Sequence, residues 1–141
     1  MYKLEDIINF LEKEISNSID IKLNSDLEND LRITGDDVSE LIYKYSIKFN
    51  VNMETYLWYF HHNEETVGGL GAMIYKSPRK RVSHIPITPK ILLESANAGY
   101  WKIKYPEHQI PKIRYDIVIN YIISFVFLAF LISIIIKKYC I

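Results

Sequence analysis

Apolar residues recur at positions 4, 7, 8, 11 and 15 of the chain, as Leu4, Ile7, Ile8, Leu11 and Ile15. Steps of three and four residues put them on one face of a helix, with charged residues on the other. A second stripe, Val38, Leu41, Ile42, Tyr45 and Phe49, predicts a helix that runs to about Phe49. Its start resembles a capping box: Thr34 can accept an amide proton, and Asp37 three residues later faces the positive helix end. Between these helices "SNSIDIKLNSDLEND" reads as a loop, with Ile19, Ile21, Leu23, Leu27 and Leu31 dipping into the core. "NVNMETYLWYF" continues as a short helix or turn, with Met53, Leu57 and Phe60 packing on the helices. A third helix lies within "ITPKILLESANAGYW". Thr88 suits its N-cap, Pro89 its first position, and Gly99 a left-handed close, after which Trp101 folds back onto the core.

The pattern breaks in two places. Residues 61–86 mix glycines, prolines and bases, which predicts an irregular loop with a short hairpin around Val67–Tyr75. Residues 102–114, with two prolines, read as a linker. Then "IVINYIISFVFLAFLISIII" runs for twenty uncharged residues from 117 to 136. At ~1.5 Å of rise per residue, that length matches the ~30 Å hydrocarbon core of a bilayer. Asn120, Tyr121, Ser124 and Ser133 are its polar members, and Tyr115, Tyr121 and Tyr139 lie near its ends, where amphipathic rings favour the interface. The rest of the chain is too short to wrap such a helix on all sides. The expected fold class is therefore mainly all-α. A helical domain fills 1–101, a linker 102–114, a transmembrane helix 115–138 and a tail 139–141.

Charge divides the chain further. Residues 1–60 hold twelve acids and six bases, whereas 61–141 hold five acids and eleven bases. Two surfaces with different partners follow, and the acidic half disfavours nucleic acid. Lys102, Lys104, Lys112 and Arg114 precede the apolar run, and Lys137 and Lys138 follow it, so the positive-inside rule puts the N-terminal domain in the cytoplasm. The charged, amphipathic N-terminus is not a signal peptide. The single cysteine, Cys140, cannot form an intramolecular disulfide and lacks the prenylation position.

Candidate chemistry is sparse. His61, His62, Glu64 and Glu65 are metal-ligand types, but neighbours on a loop define no coordination geometry, and a solvated loop is expected. "GGLG" at 68–71 lacks the Lys-Ser/Thr of a phosphate loop and reads as flexible backbone. Asp26, Glu28, Asp30, Asp36 and Asp37 fail the calcium-loop spacing, because Gly35 is misplaced. No nucleophilic triad can be drawn, and His84 and His108 are isolated, so no catalytic residue, metal or cofactor is expected. "KSPRKR" supplies Lys76, Arg79, Lys80 and Arg81, which suit anionic headgroups near the anchor or an acidic partner.

"SDLENDLRITGDDVSELIYKYSIKFNVN" resembles the core motif of a bacterial family of small uncharacterised proteins, the domain of unknown function numbered 1493. "ITPKILLESANAGYW" resembles that family's second motif, and together the two span about residues 25–101. The family in turn looks like acyl-carrier proteins, which implies a small helical bundle. Aligning Glu40 and Leu41 with the carrier's Glu-Leu puts Gly35 or Asp36 near the serine that takes the phosphopantetheine arm. No Asp-Ser-Leu occurs here; Ser39 is the nearest hydroxyl, and Ser25 reads as a loop cap. Carrier helices dock on enzymes through an acidic face, a role that the resemblance gives to Asp36, Asp37 and Glu40.

The leading expectation is a non-enzymatic protein tethered to the bilayer through 115–138, binding an unknown protein partner through the acidic helix 36–49. Two alternatives stand beside it. One is a genuine phosphopantetheine carrier at the membrane. The other is a small immunity or regulatory protein acting through its span.

Overall fold

The computed structural model describes residues 1–15, 20–64 and 69–139, without the side chain of Tyr139. Ile19, Glu65, Val67, Gly68 and Cys140, named above as core, ligand, hairpin, loop and tail residues, lie outside the described residues. The described residues form α1 (Leu4–Glu14), α2 (Gly35–Phe49), α3 (Leu70–Ile74), α4 (Pro89–Ala98) and α5 (Tyr115–Tyr139), with single 3₁₀ turns at Trp58–Phe60 and Pro78–Arg81. No strand occurs among them, so the fold is all-α as expected. The chain divides into two compact units, one of residues 1–65 and 82–108, the other of 66–81 and 109–141.

The first unit is built on α1, α2 and α4. In α1 the buried stripe is Ile7, Phe10 and Leu11, continued by Ile15 at the C-cap, while Leu4 and Ile8 are only half-buried. Phe10 replaces Ile8 in the core because its ring meets Tyr45 and Phe49 of α2, with centroids 6.3 and 5.6 Å away. Asp6 reaches back to the Lys3 amide at 2.7 Å and so satisfies a donor at the helix start. In α2 the expected stripe of Val38, Leu41, Ile42, Tyr45 and Phe49 is buried throughout. Thr34 does occupy the N-cap, but its side chain makes no cap hydrogen bond. The amide of Gly35 is held instead by the Asn63 carbonyl at 3.1 Å.

The expected caps of α4 are present. The Thr88 hydroxyl accepts from the Ile91 amide, Pro89 takes the first turn, and Gly99 closes the helix at φ +77°. α2 closes in the same way, with Asn50 at φ 51°. Both left-handed residues turn the chain into extended segments, which meet in one parallel bridge between Asn52 and Tyr100. There Asn52 N–H donates to Gly99 O, and Trp101 N–H to Asn52 O, both at 2.9 Å. The bridge delivers Trp101 into the core, where it is 2% exposed. Tyr45 crosses from α2 to α4 and donates its hydroxyl proton to the Leu92 carbonyl.

Three expectations are corrected in this unit and beside it. Leu23 is 40% exposed rather than buried. Residues 102–108 are not a bare linker, because Ile103 and Tyr105 pack against the core. The stretch around 67–75 is not a hairpin: its described part contains α3, in the second unit. In that unit α3 packs on the first turns of α5. From Tyr115 to Lys138, α5 is long and apolar enough to cross a membrane, with mean hydropathy 2.6 and none of its apolar window buried. Within it, Ser133 donates its hydroxyl to the Phe130 carbonyl at 2.8 Å, so its polar group is satisfied inside the helix.

Leu92 is fully buried, so Leu92→Ala should destabilise the full chain by about 2–5 kcal/mol. Tyr45→Phe, which deletes only the hydroxyl, should cost about 1 kcal/mol. Urea unfolding in detergent micelles measures both, and equal losses would contradict this packing.

Candidate functional site

The segment 25–40 carries the acidic motif, and the structure separates its acids into buried and exposed ones. Asp26 and Glu28 are buried, at 6% and 8% exposure. Asp36, Asp37 and Glu40 are exposed on α2. Burying a carboxylate is costly unless its oxygens find donors. Asp26 Oδ1 accepts from the amides of Glu28 (3.4 Å) and Ile87 (3.2 Å). Its Oδ2 accepts from the Asn29 side chain (2.6 Å), the Asn29 amide (3.3 Å) and His84 Nε2 (2.6 Å). Glu28 Oε1 accepts from the backbone and side-chain nitrogens of Asn63, at 2.7 and 2.6 Å, and Asn63 in turn holds Gly35. Ser25 caps this loop by accepting the Lys22 amide at 3.0 Å, as expected.

The five acids of the calcium-like spacing therefore do not converge on one point. Among the described residues no group of three His, Cys, Asp or Glu side chains could hold a metal ion. His84 is not isolated. It bridges Asp26 and Glu28, with Nδ1 3.5 Å from Glu28 Oε2.

His61 and His62 are buried, at 1% and 3% exposure, which corrects the expectation of a solvated loop. Their burial follows from the aromatic segment before them. His61 stacks on Tyr56 at 5.2 Å and meets Trp101 edge-on at 5.6 Å. His61 Nδ1 lies 2.7 Å from the Ile85 carbonyl, which can only accept, so Nδ1 carries the proton. Nε2 then accepts from the Tyr105 hydroxyl at 2.7 Å. The Tyr105 oxygen is left to accept from Trp101 Nε1 (2.8 Å) and the Leu57 amide (3.1 Å). Burial pushes the His61 imidazolium pKa down to about 4 and raises that of the Tyr105 phenol. This network is neutral and fully hydrogen-bonded at Tyr105, which suits a structural hub. Sequence reading missed Tyr105 because it directly precedes Pro106, in a proline-bearing stretch with no periodicity.

Asp37 and Glu40 of α2 line a surface groove of about 320 Å³ with Glu14, Ile15, Arg32, Ile33, Leu41 and Lys44. Lys44 bonds Glu14 of α1 and Glu40 of its own helix, both at 2.8 Å. The hydrogen bond from Lys44 lowers the Glu14 pKa, and the two carboxylates raise that of Lys44. Asp36 and Asp37 enter no ion pair among the described residues. Their place in the first turn of α2 favours the helix dipole. Ser39 is exposed on α2 and donates to the Gly35 carbonyl at 3.3 Å. The basic residues of 76–81 belong to the second unit, where Lys76, Lys80 and Arg81 are exposed and Arg79 is half-buried.

These features define a small all-α domain whose acidic motif is both a buried fastening and an exposed helix face, followed by a long apolar helix. The chain belongs to the family of proteins of unknown function DUF1493, whose family model matches residues 4–104. The match covers the first unit almost entirely and ends before α5. No curated protein and no solved structure matches the chain.

His61 makes stability depend on pH. Above about pH 6.5 the ring is neutral both folded and unfolded; below it the unfolded chain gains a proton that the folded chain refuses until about pH 4. Stability should therefore fall as pH drops through this window, by up to about 3 kcal/mol from this group. His61→Gln should flatten the curve when urea midpoints of the two proteins are compared from pH 7 to 4. Asp26→Ala should cost about 3–5 kcal/mol in the same assay, because it leaves several buried donors without an acceptor.

Proposed function

We propose that this protein is a non-enzymatic binding module tethered to the bacterial inner membrane, with its N-terminal domain in the cytoplasm and α2 as its docking helix. Asp36, Asp37 and Glu40 face a basic surface of a protein partner. One observation carries the reading. The buried acids of the motif are consumed by hydrogen bonds that hold the loop, whereas Asp36 and Asp37 stand exposed in the first turn of α2. The length and hydropathy of α5, and the four bases before it against two after it, support the tether and its orientation.

A genuine carrier has one foothold, the exposed hydroxyl of Ser39. Its position inside α2, bonded back to Gly35, weighs against it. Intact mass of the protein extracted from its native membrane separates the two. An unmodified chain is expected, and a phosphopantetheine-sized adduct mapped to Ser39 would replace the docking reading with the carrier.

The docking face is tested by charge reversal. Asp36→Lys with Asp37→Lys should abolish capture of partners that the wild type retains at low salt and releases at high salt. Glu5→Lys with Glu12→Lys, an equal change of charge on the exposed face of α1, should leave capture intact. All four positions are exposed, but Asp36, Asp37 and Glu5 lie in first helical turns, so each reversal there should cost about 1 kcal/mol of helix-dipole stabilisation and leave the fold intact. Loss of capture in both variants, or in neither, would exclude the acidic helix as the specific surface. Deletion of 115–141 should release the protein from the membrane fraction.

A further inference from the structure

The second unit contains a short helix fastened to α5 at a defined depth. Gly69 precedes α3 at φ +97°, a conformation that side chains rarely adopt. Gly71 lies so close to α5 that a Cβ there would meet the Asp116 carbonyl at 2.1 Å and Asn120 Oδ1 at 2.9 Å. These glycines are not flexible backbone, as the sequence led us to expect, but a close contact between two helices. The Gly71 amide donates to Asn120 Oδ1 at 2.7 Å.

Asn120 is the fourth residue of the uncharged run, so it lies about 4–5 Å inside that run by helical rise. A side-chain amide at that level needs a hydrogen-bonding partner, and the backbone of α3 provides one. The contact holds α3 beside the first turns of α5.

α3 then turns three large apolar side chains outward. Leu70, Met73 and Ile74 are 56%, 82% and 69% exposed, on a helix of five residues. An aromatic pair follows, Tyr75 and Tyr115, with ring centroids 5.1 Å apart. Arg81 lies 4.6 Å over the Tyr75 ring, and Lys76 and Lys80 are exposed beside it. At the start of α5, Arg114 grips Asp116 with two hydrogen bonds, at 3.0 and 2.7 Å. The order is apolar, then aromatic, then cationic, along a helix pair of which one member is itself apolar on all sides. That order matches a bilayer surface from acyl chains to phosphates.

We propose that α3 and the turn after it form an interfacial wedge in the bilayer that α5 crosses. Leu70, Met73 and Ile74 lie at the boundary of headgroups and acyl chains, and Lys76, Lys80 and Arg81 contact anionic lipid phosphates. The wedge rests on the reading of α5 as a membrane span, and it gives the span a lipid-reading collar in addition to an anchor.

The test uses the full chain with Cys140→Ser and one new cysteine, Met73→Cys or Phe127→Cys, carrying a nitroxide. The host is a vesicle of phosphatidylcholine and phosphatidylglycerol, three to one. Power saturation with oxygen and a nickel chelate reads depth. The Phe127 label should report the bilayer centre, and the Met73 label a depth of about 5–10 Å below the phosphates. Asn120→Leu, Gly71→Val and the triple change Lys76→Glu, Lys80→Glu, Arg81→Glu should each return the Met73 label to water and leave the Phe127 label in place. A Met73 label in water beside a Phe127 label at the centre would overturn the wedge and leave the anchor standing. A Phe127 label in water would remove both. Dipolar broadening between Met73 labels would show that a second copy covers α3, and would also overturn the wedge.

Discussion

The buried carboxylate of Asp26 is the constraint on which the first unit depends. It accepts hydrogen bonds from its own loop, from Asn29, from His84 and from the amide of Ile87 just ahead of α4. A charge so buried is tolerated only because each oxygen is engaged. The same carboxylate thereby ties the approach to α2 to the approach to α4. Backbone bonds run alongside it, from the Leu27 amide to Ile87 and from the Ile33 amide to Leu27. Glu28 extends the fastening through Asn63 to the first residue of α2. Removing either acid strands donors in a place that water does not reach.

This use of charge separates acids that look alike in the chain. Asp26 and Glu28 organise a loop, and Glu40 shares Lys44 with Glu14 and so links α2 to α1. Asp36 and Asp37 remain at the surface, at a helix end that favours negative charge. The histidines divide in a similar way. His84 serves the carboxylates, while His61 is kept neutral by burial and joins Ile85, Tyr105 and Trp101 in one network.

The two compact units sharpen the charge division of the chain. The second unit, 66–81 with 109–141, holds eight bases and a single acid, Asp116, which Arg114 engages. The first holds the other sixteen acids and nine bases. The cationic unit is also the one with the long apolar helix, a combination suited to an anionic lipid surface. The acidic unit carries the helix face suited to a basic protein.

The helices α1, α2 and α4 were legible in the chain, and so was α5, because periodicity, caps and an uninterrupted apolar run are local signals that need no knowledge of the neighbours. The left-handed close at Gly99, the cap at Thr88 and the buried stripe of α2 all followed from residue type and spacing. The family was legible for the same reason, since its motifs are short stretches of such signals. What only the tertiary structure decided was the role of polar residues and of glycines. Whether Asp26 or Asp36 is buried depends on whether Ile87 and His84, some sixty residues away, come within reach. Whether Gly71 is loose backbone or a helix contact depends on Asn120. Tyr105 became a core residue only because Trp101, His61 and Leu57 converge on its hydroxyl. Hydrogen bonds between distant segments leave no period in a sequence, so they appear only once the chain is folded.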